Sequence, residues 1–153
     1  MRVAYIICCF YCLFTFKVVA ANHIGKAGNW TFQTHKINDS TYDLLFNIEL
    51  AAGEKLWSNS NNTNDTLVSP SFTFDNNTQV KFIGAIRHQG AHTVTLSNKE
   101  PQCSYYSGSV CFYQKVKVLR KAAINGQVGF QVGNKHGNGK PQTVNFAFKL
   151  GNT

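Results

Sequence analysis

Apolar residues recur at every second position along most of this chain, and that period restricts the folds open to it. Tyr42, Leu44, Phe46, Ile48 and Leu50 alternate with Asp43, Asn47 and Glu49, and Leu45 breaks the pattern. Val110, Phe112, Val116 and Val118 share a face, with Gln114 interrupting. Val128, Phe130 and Val132 form another set, and Val144, Phe146, Phe148 and Leu150 the last. Shorter pairs are Trp30 with Phe32, Phe72 with Phe74, Val80 with Phe82, and Val94 with Leu96. Period two marks half-buried strands, because successive side chains leave a strand on opposite faces. No stretch of useful length carries a helical period. Asn-, Gly- and Ser-rich breaks between strands predict an all-β, immunoglobulin-like β-sandwich of about seven to eight strands.

Residues 1–21 read as a separate segment. Arg2 precedes an apolar run from Val3 to Phe16, and Val18-Val19-Ala20-Ala21 offers small residues for cleavage. This is the pattern of a secretory signal peptide. An uncleaved anchor is the alternative, although the run is short of the roughly 20 apolar residues of a spanning helix. Residues 22–153 then form one domain, periplasmic or secreted, with no further apolar run to enter a membrane.

Export changes how the remaining residues read. Three of the five Cys leave with the leader, so the mature chain keeps Cys103 and Cys111. With seven residues between them in an oxidising compartment, they are expected to form a structural disulfide; a redox-active pair is the alternative. The net charge is +8, with Arg2 and Lys17 in the leader. The other cations are spread out, densest from Lys115 to Lys121, and read as solvated strand faces. An exported chain is not expected to meet nucleic acid. Sequons at Asn29, Asn38, Asn61, Asn64 and Asn76 would accept glycans in a eukaryotic secretory route. Ser58 to Asp65 reads as an exposed loop.

Motifs for other chemistry are weak. His88 and His92 are four apart, a spacing that shares a face on a helix but loses force beside a predicted turn and strand. No metal site or cofactor is assigned. The Gly-rich stretch Gly133 to Pro141 (G-N-K-H-G-N-G-K-P) lacks the Gly-Lys-Ser/Thr of a phosphate loop and runs into a strand. His136 within it reads as an exposed turn residue. The chain has no G-x-S-x-G elbow and, with seven acids, no assignable carboxylate pair.

That stretch and its flanking strands carry a family resemblance. So do, in order, A-A-G-E-K-L-W (Ala51 to Trp57), S-P-S-F-T-F-D-N-N-T-Q-V (Ser69 to Val80), Y-S-G-S-V-C-F-Y-Q-K-V-K-V (Tyr106 to Val118) and Q-V-G-F-Q-V-G (Gln127 to Gly133). Together they resemble the N-terminal periplasmic domain of the thiol:disulfide interchange protein DsbD over about residues 28 to 150. The resemblance implies an immunoglobulin-like sandwich that exchanges disulfides with exported proteins through a Cys pair in this hairpin. Asn134 and Lys140 stand at the matching positions, and neither forms a thiolate. The expectation is therefore an exported module that binds other exported proteins, thiol-exchange partners among them, without doing the exchange. The alternatives are exchange relocated to Cys103 and Cys111, or a glycosylated secreted binding domain.

Overall fold

The computed structural model describes residues 29–60, 67–97 and 100–151. The signal-peptide segment and the sequons at Asn61 and Asn64 lie outside these residues. The described chain forms ten strands and no helix: β1 (Asn29–Lys36), β2 (Thr41–Glu49), β3 (Lys55–Ser60), β4 (Ser71–Phe74), β5 (Val80–Ser97), β6 (Glu100–Val118), β7 (Ala122–Phe130), β8 (Val132–Asn134), β9 (Gly137–Asn138) and β10 (Gln142–Leu150). They make two antiparallel sheets, the β-sandwich expected from the period. The large sheet runs β1-β2-β6-β3-β8-β9, with β5 on the other side of β6; the small one runs β10-β7-β4.

The alternation reports the packing. In β2, Tyr42, Leu44, Phe46 and Ile48 point inward. In β10, Val144, Phe146, Phe148 and Leu150 do the same from the opposite sheet. Aromatic rings knit the two layers: Phe46 meets Phe146 at 5.0 Å and Trp30 meets Phe130 at 5.3 Å, both edge-on. Each such buried side chain contributes about 1.5–3 kcal/mol of apolar burial, and edge-on geometry adds to that. Leu45, the break in the pattern, faces outward in register with Gln33 and Tyr113.

Two departures from the sequence reading matter for function. First, segments expected as separate short strands merge. Val80–Phe82 and Val94–Leu96 belong to the single strand β5, paired with β6 along most of its length. Register breaks absorb the irregular residues. Gly84, at φ 69°, lies in the break between Ile83 and Arg87, and Gly108, at φ 67°, opposite the break between Gln89 and Ala91. Second, β2 and β3 lie one after the other along the same edge of β6. A tight turn joins them, closed by Glu54 N–H donating to the Ala51 carbonyl at 2.9 Å. Gly53 takes φ 84° at its third position, as a type II turn requires.

Candidate functional site

The Gly-rich hairpin comes first, since the resemblance puts reactive thiols there. β7 and β10 flank it and pair as expected, with Phe130 opposite Gln142. The segment between them is more than a turn. After Gln131 the chain leaves the small sheet, and β8 joins the large one against β3, with Gly133 opposite Lys55. It folds back on itself as β9, with Gly133 opposite Asn138. Buried Gln131 rivets the crossing: its side-chain oxygen accepts from Val68 N–H at 2.8 Å and its Nε2 donates to the Gly139 carbonyl at 2.7 Å. Gly133 is needed for close approach, because a Cβ there would strike the Trp57 indole and the Asn138 side chain. Residues 134–141 are exposed. Asn134 Oδ1 accepts from the His136 backbone N–H at 2.8 Å, which shapes the tip. Neither Asn134 nor Lys140 supplies redox chemistry.

Cys103 and Cys111 do not form the expected disulfide; both thiols are free. Gly108 lies between them at φ 67°, inside the continuous strand β6. Cys103 is in register with Ser60 and Thr95, Cys111 with Asn47 and Gln89. Eight steps of strand hold their backbones about 26 Å apart, where a disulfide needs Cα atoms within about 7 Å. Nor is either thiol beside the hairpin. β3 separates β6 from β8, and Cys103 lies at the end of β3 opposite to Lys55 and Gly133. Burial, and then the nearby Asp43 charge, push the Cys111 thiol above its ordinary pKa of 9.0. A raised pKa lowers the thiolate fraction, which is the nucleophile.

The polar cluster that the fold does assemble lies elsewhere. His88 and His92 stand on β5, not beside a turn, and their ring centroids are 5.8 Å apart. Both rings pack on Tyr106 of β6, at 4.9 and 4.7 Å. The Tyr106 hydroxyl and His88 Nδ1 are 3.4 Å apart. Ser58 Oγ is 2.8 Å from His92 Nε2 and 2.6 Å from Ser104 Oγ. A Ser–His contact of this kind is half of an acyl-transfer site, but no carboxylate hydrogen-bonds His92 among the described residues, so nothing orients the imidazole as a base. Burial raises the Tyr106 phenol above its ordinary value of 10.0, which keeps it a neutral donor. Among the described residues no group of three or more His, Cys, Asp or Glu is placed to hold a metal ion.

This cluster borders a cleft of about 370 Å³ lined by Ser58, Ser69, Phe72, Ile86, His88 and Tyr106, among others. The cleft is lined from both sheets, by Phe72 of β4 and by residues of β3, β5 and β6. β4 is the last strand of the small sheet and β5 lies on the same side of the large one. Phe74 and Phe82 bridge them at 4.6 Å. Phe112 of β6, with Phe72 and Ile86, gives the cleft its apolar lining. Sequence reasoning missed Ser58, Ser104 and Tyr106. Ser58 fell within a stretch read as loop. Tyr106 and Ser104 sit one step apart in the inward alternation that continues to Val110 and Phe112, a signal hidden by the irregularity at Gly108.

No family model and no curated protein matches this sequence. Among solved structures, the chain is similar to the N-terminal periplasmic domain of ScsB from Proteus mirabilis, with a TM-score of 0.55 and 12% identity, covering 86% of this chain and 50% of that one. The GAE domain of GGA2p from Saccharomyces cerevisiae aligns with a TM-score of 0.43 at 9% identity, over 88% of this chain and 100% of that one. The chain thus shares its fold with the ScsB domain and spans half the length of that structure's chain.

Proposed function

We propose that this chain is an exported binding domain with the sandwich of periplasmic thiol-exchange proteins but without their chemistry. It docks other exported proteins, thiol-exchange proteins among them, through the cleft between β4 and β5. One observation carries this reading: the hairpin of the resemblance holds Asn134 and Lys140, while the two thiols of the domain stand eight residues apart on one strand. Exchange by a dithiol needs two sulfurs within bonding reach and a reactive thiolate. A cleft with an apolar floor and a few convergent polar groups is suited to recognition. Export is supported by the leader-like residues 1–21 and by the periplasmic origin in the ScsB domain's name.

The test is thiol trapping in the protein's own compartment. Acid quenching and alkylation are expected to recover Cys103 and Cys111 without mixed disulfides. The Cys103→Ser, Cys111→Ser double variant is expected to cross-link to the same neighbours as the natural chain. A mixed disulfide that disappears with either substitution would overturn the reading in favour of exchange.

A further inference from the structure

We infer that the free edge of β5 accepts an extended, acidic segment of another protein as an added strand. The inference rests on the binding reading above and gives it a mode and a ligand chemistry. β5 is 18 residues long and pairs with β6 on one edge. Its other edge pairs with no strand among the described residues. Such an edge presents a row of backbone N–H and C=O groups to any extended chain.

Natural edges of this length are blunted by bulges, inward charges or a covering element. Here β5 breaks register with β6 at Ile83–Arg87, Gln89–Ala91 and Thr95–Leu96. From Ala91 to Thr95 the register with β6 is unbroken, Ala91 opposite Ser107 through Thr95 opposite Cys103. That straight stretch is exposed throughout. β5 also carries partly exposed apolar groups that an added strand would cover: Phe82, Ile83 and Val94 are 38%, 41% and 45% exposed.

Charge selects the occupant. The sequence from Val80 to Ser97 contains Lys81, Arg87, His88 and His92 and not one acid. β6 beside it adds Lys115 and Lys117, and its sole acid is Glu100, near the far end of the hairpin. A second copy of this chain would bring the same cations edge to edge, so self-pairing is disfavoured. An acidic strand is attracted, and its register against the edge is guided by complementary charge. In strand addition, main-chain hydrogen bonds supply affinity and pockets for alternate side chains supply specificity. The fold provides both at one place. Side chains on the inner face of an added strand point toward His92 and Val94, and further along toward His88 and the cleft.

The experiment uses fluorescein-labelled octapeptides alternating Glu and Val, a Lys/Val counterpart, and two Glu/Val versions N-methylated on odd or on even amides. Anisotropy is expected to show binding of the Glu/Val peptide and none of the Lys/Val peptide. One N-methylated version is expected to bind about tenfold or more weakly while the other binds like the parent, since only alternate amides face β5. Hydrogen exchange is expected to slow at alternate residues of Ala91–Thr95. The Arg87→Glu variant, checked by thermal melting, is expected to weaken binding about threefold or more. Equal binding of both N-methylated peptides, or of the Lys/Val peptide, overturns strand addition. A concentration-dependent dimer that protects the same amides assigns the edge to self-pairing and overturns it too. If no peptide binds while the thiol-free variant keeps its cross-linked neighbours, strand addition fails and the binding reading stands. If those neighbours vanish with the thiols, the binding reading itself fails.

Discussion

Gln114 offers a sharp test of how the cleft-side edge is built. It interrupts the inward face of β6 at a point where the sequence otherwise supplies Val and Phe, and it is 4% exposed. Its Nε2 donates to the carbonyls of Ile83, Gly84 and Lys115 at 3.2, 3.3 and 2.9 Å. Two of these carbonyls stand at the register break of β5. Replacing Gln114 with Leu keeps the volume and removes the donor. Stranding buried acceptors costs about 1–3 kcal/mol, and the apolar side chain recovers about 1 kcal/mol. The net loss is expected at about 0–2 kcal/mol. Gln114→Glu separates packing from polarity. At pH 7 its carboxylate faces carbonyl oxygens with no N–H to give, so burial raises its pKa. A raised folded pKa means the variant's stability is fully present below the unfolded Glu value, about 4.3, and is lost as pH rises through the folded one. Measured against the natural chain by urea denaturation, Gln114→Glu should therefore be worse at pH 7 than at pH 4.5. Every tenfold gain in the carboxylate's proton affinity on folding corresponds to about 1.4 kcal/mol of that loss. A Leu variant more stable than the natural chain by over about 0.5 kcal/mol, beyond the range of inert substitutions, would refute the argument. So would a Glu variant that fares relatively better at pH 7.

Other perturbations follow from the same packing. Phe46→Ala removes a fully buried ring that meets Phe32, Phe72, Phe74, Phe146 and Phe148; a loss of about 4 kcal/mol is expected in chemical denaturation. Gly126→Ala places a Cβ against the Thr73 carbonyl and the Phe146 ring, so about 2 kcal/mol of overpacking strain should lower its melting temperature. The raised Cys111 thiol contributes stability that is complete below its ordinary value of 9.0 and is lost as pH rises through the folded value. Relative to the natural chain, Cys111→Ala should therefore gain stability between pH 8 and pH 10.5, and a difference independent of pH would count against that burial.

The sandwich was legible because period two survives burial: β2 and β10 emerge close to where the alternation of Leu44 and Phe146 puts them, whereas the set Val128, Phe130 and Val132 is split between β7 and β8 of different sheets. Strand lengths were not. β5 and β6 read as fragments because Gly84, Gly90 and Gly108 look like turns in sequence, whereas a paired strand absorbs left-handed residues as register breaks. Cys103 and Cys111 looked bridged because a lone pair in an exported chain is ordinarily oxidised. Their separation is set by pairing with β2, β3 and β5, which no local spacing reports. The cleft was illegible for a related reason. Ser58, His88 and Tyr106 come from three strands, and only the pairing of β3, β6 and β5 brings them to one opening.

The crossing at Gln131 divides the domain into two kinds of sequence. On its near side, every substitution negotiates with a packed interior. Beyond it, residues 134–141 hang outside, held at their base by one short ladder and one glutamine. Whatever is written in that tip is nearly costless to the sandwich, so a scaffold of this kind can change occupation without being rebuilt. That tolerance makes the tip a natural place to graft a new loop.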